Sequence, residues 1–429
     1  MSATDWATKP LGELFAVGAG KTMSAAARAG ENKVPFLRTS NVLWDEIDVA
    51  VVDQMAIPER ELIEKSLKVG DLLVCEGGEI GRAAVWEGGQ EPMSFQNHLH
   101  RLRPKVDDVD PRFYVYFLQA AFTQLGIFGG AGNKTTIPNL SSGRLKALDV
   151  PHPPLPEQVA IADALRHVQR ARRLNARLIA TTEQLKTAAM RQLFSRGLRG
   201  ESQKETEVGP IPGSWELVEL GEVREFLQYG TSVHCTLDPK EYPVLRIPNI
   251  EPGRVNDSEL KYCDLPEAQA KKYLLENGDL LFIRTNGVID RLGSCAVYAG
   301  APESALFASY LIRARLKARA LPKFVAYFYG STLGTSLVAG RATPASDGKY
   351  NLNTGTIDAL PLPLPSTLEE QQEIVDVLDA LDRKIDLHRR KREVLDQLFK
   401  SLLHKVMTGE VSVDDLDLSA LPTFEGSAA

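Results

Sequence analysis

The sequence predicts an α+β protein written twice. Two tandem α/β domains are expected, separated by two long helices that form an antiparallel coiled coil, in a pseudo-twofold internal repeat. Three observations carry this. The helix start "PLPEQVAIADAL" at Pro154 returns as "EEQQEIVDVLDAL" at Glu369. Other blocks return in the same order at offsets between 208 and 213 residues, too long a period for a solenoid, so each copy is a domain. Largely apolar positions on the second helix step by four and three without a break, the spacing of a coiled-coil seam, and the same register falls on the first helix with a weaker C-terminal half.

The blocks justify the elements in chain order. "VPFLRTSNV" at Val34 matches "YPVLRIPNI" at Tyr242, and "VGDLLVCEGG" at Val69 matches "NGDLLFIRTNG" at Asn277. "FQNHLHRLRPK" at Phe95 matches "FASYLIRARLK" at Phe307. Their short β-rich runs, "VPFL", "DLLV" and "AAVW" against "YPVL", "DLLFI" and "CAVY", alternate with glycine-rich turns and read as strands. One helical patch follows in each copy, "RFYVYFLQAAFTQL" and "KFVAYFYGSTLGTSL". Pro156 and Pro365 are placed just before the long helices, where proline is tolerated, and Gly197 and Gly409 mark their ends.

The expected seam of the first helix is Ile161, Leu165, Val168, Arg172, Asn175, Ile179, Thr182, Lys186, Ala189 and Leu193. On the second it is Ile374, Leu378, Leu381, Ile385, His388, Arg392, Leu395, Phe399, Leu402 and Val406. At 1.5 Å per residue each helix runs roughly 60 Å. An antiparallel pairing would bring Arg172 and Asn175 towards His388 and Arg392, a polar patch that fixes register; outward orientation to water is the alternative. The expected boundaries are 1–154 and 214–365 for the domains, 155–200 and 366–409 for the helices, 201–213 for a linker and 410–429 for a tail.

Composition narrows the function classes. Hydrophobic residues are 43% and charged residues 25%, ordinary for a soluble globular protein. No apolar run approaches the ~18 residues of a membrane span, and "MSATDWATKP" does not read as a signal peptide, so a cytoplasmic location is expected. The four cysteines are scattered without C-x-x-C spacing, which argues for reduced thiols and against a zinc site. A net charge of −6 argues against coating nucleic acid with the whole chain and leaves room for a local basic surface. Both helices are locally basic, a solvated face or a surface for phosphate or an acidic partner.

"PLPEQVAIADAL" followed by "LKTAAMRQLFSRG", the second-copy "LEEQQEIVDVLDAL" and "LFKSLLHKVMTG", the linker "GPIPGSW" and the paired "GDLL" strands resemble the specificity subunit of a Type I restriction–modification system. The resemblance covers nearly the whole chain. It implies two target-recognition domains, each reading one half of a split double-stranded DNA sequence, with the helices as a ruler between them. It also implies docking of two methyltransferase subunits, with restriction and motor subunits joining through the complex. Phage defence by DNA adenine methylation and cleavage would then be catalysed elsewhere. S-adenosylmethionine, ATP and magnesium belong on the partners, and this chain holds no cofactor.

The residues agree that no catalytic centre is written here. "AVGAGKT" lacks the first glycine of a P-loop, with Phe15 in its place, and "HLH" at His98 is not a zinc-protease motif. What remains is binding: by this reading, by a specificity chain serving a fused restriction–methylation enzyme, or by an assembly scaffold that has lost its DNA contacts. Arg and Lys suit guanine, and Asn and Gln suit adenine. Candidates in loops at repeated positions are Lys21, Arg38, Asn41, Arg82, Gln96, Asn97, Asn133 and Lys134 in the first domain. In the second they are Arg246, Asn249, Arg284, Asn286, Tyr310, Arg341, Lys349 and Tyr350. Arg38 with Arg246 and Asn41 with Asn249 recur in both halves, so they should be structural or bind phosphate, while residues that differ should specify.

Overall fold

The computed structural model describes residues 6–89, 91–127, 140–344 and 348–416. Contacts divide the chain into unit 1, Met1–Ala176 with Arg390–Ala429, and unit 2, Arg177–Arg389. Each unit therefore takes one end of each long helix, Leu155–Arg196 and Leu368–Met407.

In unit 1 an antiparallel sheet runs Phe15–Ala19, Leu99–Pro104, Leu72–Cys75, Ala83–Val85. A smaller sheet places Lys33–Leu37 between Asp53–Ala56 and Ser94–Phe95. The helix Pro111–Thr123, capped by the Asp110 carboxylate, covers the first sheet with buried Phe113, Tyr114, Phe117 and Leu118. All three predicted runs, "VPFL", "DLLV" and "AAVW", lie on strands.

Unit 2 repeats the plan. Arg224–Tyr229, Leu311–Leu316, Leu280–Ile283 and Cys295–Val297 are the matching strands, extended by Gly253–Val255 and Ile250–Glu251. Tyr242–Leu245 lies between Lys261–Cys263 and Leu306–Phe307. The single helical patch predicted here is two helices, Pro322–Tyr329 and Thr332–Ala339. Gly330 ends the first, and the Ser331 hydroxyl caps the second by accepting from the Gly334 amide at 3.1 Å. A cap that both stops and restarts a helix leaves the apolar period intact, which is why the break does not show as a change of pattern.

The helix ends belong to the cores. In unit 1 the start of the first helix (Ile161, Leu165, Val168) shares one apolar cluster with the end of the second (Phe399, Leu402, Val406). In unit 2 the end of the first (Met190, Leu193, Phe194) shares one with the start of the second (Ile374, Val375, Leu378). Start against end is the antiparallel order. Ile179, Ile385 and Leu395 are buried as expected, Leu381 is half-buried, and Asn175 is buried. Pro156 sits inside the first helical turn rather than before it, where its missing N–H costs nothing.

The polar seam needs correction. Arg392 is exposed and takes no place in the seam. Arg172 gives its Nε to Asp396 at 2.6 Å and lays its guanidinium over the Phe399 ring at 4.6 Å. His388 is half-buried. A guanidinium finds a carboxylate and a ring face more favourable than a second cation.

Much of the basic helix surface is also internally matched. Arg166 pairs with Glu87 and Arg173 with Glu46 in unit 1; Lys186 pairs with Asp382 and Arg389 with Glu183 in unit 2. Tyr327 in unit 2 anchors its domain to the second helix, its hydroxyl lying 2.7 Å from Asp379 and 2.8 Å from Asp382. Burial, followed by those two carboxylates, raises the Tyr327 phenol well above its usual pKa. Tyr327→Phe removes this donor and is expected to lower unit 2 stability by about 1–3 kcal/mol, read as a drop in the urea midpoint with an unchanged slope.

Candidate nucleic-acid interface

The feature that best separates the two units is a turn entering the long central strand, Gln96–His98 in unit 1 and Ala308–Tyr310 in unit 2. Its backbone is held identically in both. Lys21 N–H donates to Phe95 O and Asn97 N–H to Lys21 O, at 2.8 and 3.1 Å; Thr231 N–H donates to Phe307 O and Ser309 N–H to Thr231 O, both at 2.8 Å. Gln96 N–H meets Leu37 O at 2.8 Å, as Ala308 N–H meets Leu245 O at 2.9 Å. Leu99 N–H closes the turn on Gln96 O and Leu311 N–H on Ala308 O, each at 2.9 Å. The preceding strands, Lys33–Leu37 and Tyr242–Leu245, supply the carbonyl end of this frame.

In unit 1 the turn opens on a concavity of about 480 Å³ lined by Arg28, Arg38, Asp53, Gln96, Asn97 and His98. Three sequence candidates thus meet on one surface, joined by Arg28 and His98. Among the described residues the side chains of Arg28, Gln96, Asn97 and His98 hold no hydrogen-bond partner, so their donors and acceptors are free for a ligand. Arg38 gives Nη1 to Asp53 at 2.9 Å, an exposed pair with little to hold it closed. His100, two residues on, is buried, with Nε2 at 2.7 Å from Leu140 O.

In unit 2 two of the candidates, Arg284 and Tyr310, meet at the same turn, the Tyr310 carbonyl accepting from Arg284 N–H at 3.1 Å. Arg284 lies over the Tyr229 ring at 4.9 Å and gives Nη1 to Ser309 O at 3.3 Å. Asn286 and Tyr350 are opposed across the strands Thr285–Asn286 and Tyr350–Asn351. Tyr310 is 56% exposed at the tip. Tyr229 was missed by sequence reasoning; its signal was a place immediately before Gly230, the counterpart of Gly20. Lys349 is exposed. Arg341 is half-buried, its Nη1 3.4 Å from Leu337 O at the end of its own helix, apart from the group.

Other candidates turn inward. Asn41 is buried, accepts from Arg38 N–H at 2.9 Å, and gives both amide hydrogens to Asp48 O and Val51 O at 2.9 Å. Asn249 does the same with Arg246 N–H, Asn256 O and Ser258 O. With both donors used, neither amide has the donor half of an adenine contact. Arg82 braces Thr39 O at 2.7 Å and pairs with Glu79, while Arg246 reaches Glu259 O at 2.8 Å. Lys21 is neutralised by Glu61 at 2.8 Å, and that hydrogen bond holds the Glu61 carboxyl below its usual range. Asn133 and Lys134 lie outside the described residues.

Nothing in either unit assembles a metal centre: among the described residues, no three His, Cys, Asp or Glu side chains are grouped to hold an ion. The four cysteines are free, and burial pushes the Cys75 and Cys263 thiols up to about 11. No described helix is long and apolar enough to cross a membrane.

The model of the family described as the Type I restriction modification DNA specificity domain matches this chain twice, over residues 3–184 and 212–397. The chain belongs to that family. Among its relatives is the putative type I restriction enzyme MjaX specificity subunit of Methanocaldococcus jannaschii, 25% identical, with 95% of this chain and 94% of that one aligned. The EcoKI specificity subunit of Escherichia coli K12 is 21% identical over 89% of this chain and 83% of its own. The S subunit of M. genitalium has a similar fold, with TM-score 0.57 at 16% identity, covering 94% of this chain and 96% of that one. A chain from a study of complex assembly in the type I R-M system gives 0.54 at 17%, covering 96% and 100%. The two matched segments follow the internal repeat, one per domain with most of its helix.

Proposed function

We propose that this specificity-family chain is the non-catalytic, DNA-reading subunit of a cytoplasmic Type I restriction–modification complex. Unit 1 and unit 2 each read one half of a bipartite double-stranded target. The two long helices dock two methyltransferase subunits, and restriction and motor subunits join through them. S-adenosylmethionine, ATP and magnesium are assigned to those partners. The observation that carries the reading is the repeated turn: one backbone frame in both units, with different side chains on it. Two readers of unlike half-sites need that combination, whereas a scaffold needs no exposed tip of either kind.

Mapping methylated adenines in cells that co-express this chain with its methyltransferase subunit tests the proposal. Two short motifs with a fixed gap are expected. A single continuous motif contradicts two readers, and a stable complex that methylates nothing favours a scaffold.

Arg38 has a distinct expected role. Its pair with Asp53 is exposed and its neighbours face the turn, so it is placed to exchange Asp53 for a phosphate. Arg38→Ala should weaken binding to all duplexes alike and reduce the salt slope of log affinity by about 1. A changed recognition motif in this variant would instead make Arg38 a base reader.

A further inference from the structure

This inference rests on the half-site reading and locates where, within each reader, the choice of base is made. The turn frame repeats bond for bond, while the three tip residues differ at every position: Gln96, Asn97, His98 against Ala308, Ser309, Tyr310. A frame sets the height and angle at which side chains meet a base edge, and the tip sets which edge can be met. Gly20 and Gly230 make this frame possible. A Cβ on Gly20 would sit 2.3 Å from Phe95 O and 2.4 Å from Gln96 O, and one on Gly230 would sit 2.2 Å from Ala308 O. The backbone is thus pressed closely against the turn from behind, leaving the tip as the part that is free to vary.

The chemistry of the tips differs in kind. Gln96 and Asn97 carry amides with no partner inside the domain, beside the unpaired cation Arg28. A carboxamide presents a donor and an acceptor side by side, the pattern that fits adenine N6 and N7 in the major groove. Unit 2 offers the Ser309 hydroxyl and the exposed Tyr310 ring instead, with Arg284 behind them bonded to Ser309 O. Of the residues repeated in both halves, Asn41 and Asn249 are buried and spent on backbone groups of their own loops, so those amides cannot do this work.

We infer that Gln96–His98 and Ala308–Tyr310 are the specificity-determining positions of the two readers, and that the unit 1 tip reads an A·T pair through Gln96 or Asn97.

The test uses the full chain co-expressed with its methyltransferase subunit. Methylated adenines are mapped for the wild type, for Asn97→Ser alone, and for Gln96→Ala, Asn97→Ser and His98→Tyr together. The wild-type arm tests the half-site reading: a split motif sustains it and a continuous one removes it, whatever the variants do. The variant arms test the tip. The expected result is that one half of the motif relaxes or changes at an A·T pair, with discrimination there falling roughly 5- to 150-fold. The other half and the gap stay as they were. Variants that methylate the wild-type motif with wild-type selectivity overturn the inference. If the triple variant methylates nothing, the single variant decides on the same criterion, backed by competition binding to target and non-target duplexes. Loss of preference with retained non-target affinity supports the inference, and equal loss on both duplexes overturns it.

Discussion

Replacing Asp279 with alanine should destabilise unit 2 by about 3–5 kcal/mol, and Asp71→Ala should do the same to unit 1. Asp279 is the acid of the second "GDLL" and is 1% exposed. Its Oδ1 accepts from Arg315 Nε at 2.8 Å and its Oδ2 from Arg315 Nη2 at 3.0 Å and Glu276 N–H at 2.8 Å. Arg313, 5% exposed, lies 3.5 Å away, and burial lowers its pKa. Truncation leaves the buried Arg313 with only neutral acceptors and Arg315 with only the exposed Glu276, and the cost of an uncompensated buried charge exceeds the worth of the pair itself. Asp71 is built alike, with Arg103 Nε at 2.7 Å, Nη2 at 2.6 Å and Lys68 N–H at 2.7 Å. Urea unfolding, followed unit by unit through hydrogen exchange, measures the effect. A loss below about 1 kcal/mol would mean that water reaches the pair and screens it.

The second large effect is expected from Gly230→Ala and its counterpart Gly20→Ala. The added methyl would meet carbonyl oxygens at 2.2–2.4 Å, with backbone on both sides and no flexible side chain to move away. Overpacking of this kind costs about 1–3 kcal/mol, and in a unit of some two hundred residues each kcal/mol lowers Tm by roughly 2–4 °C. The functional loss should be larger than the stability loss, because the displaced backbone is the turn proposed to read the target. Gly20→Ala is expected to erase selection in one half of the target while leaving the other half and the gap intact. Loss of both halves together, in a complex that still assembles, would sink the assignment of one turn to each half.

The architecture was legible because it is written in local, repeated terms. A duplication shows itself as an offset, a buried helix face as a period, and the strands as short β-rich runs between glycines. Even the polar positions Thr182 and Asn175 on the first helix are buried where the seam places them. The candidate surface was legible only in part. Arg38, Gln96 and Asn97 share one concavity, Arg284 and Tyr310 meet at the other turn, and Asn286 and Tyr350 are paired across neighbouring strands. Arg28 and Tyr229 were missed: Arg28 sits on the short helix Ala25–Ala29 with no periodicity to mark it, and Tyr229 ends a strand with only the following Gly230 as a signal.

Two domains, the buried helix faces and the repeating loops follow from the order of residues alone. The direction of each polar side chain does not. Asn41 and Gln96 are both amides in repeated loops, and nothing in their spacing separates them. Asn41 is held by carbonyls 7 and 10 residues away, whereas Gln96 meets no acceptor within its domain. A hydrogen bond depends on where the chain brings its partners, and periodicity reports only which face is apolar. The line between a structural amide and a reading amide is therefore drawn by the fold.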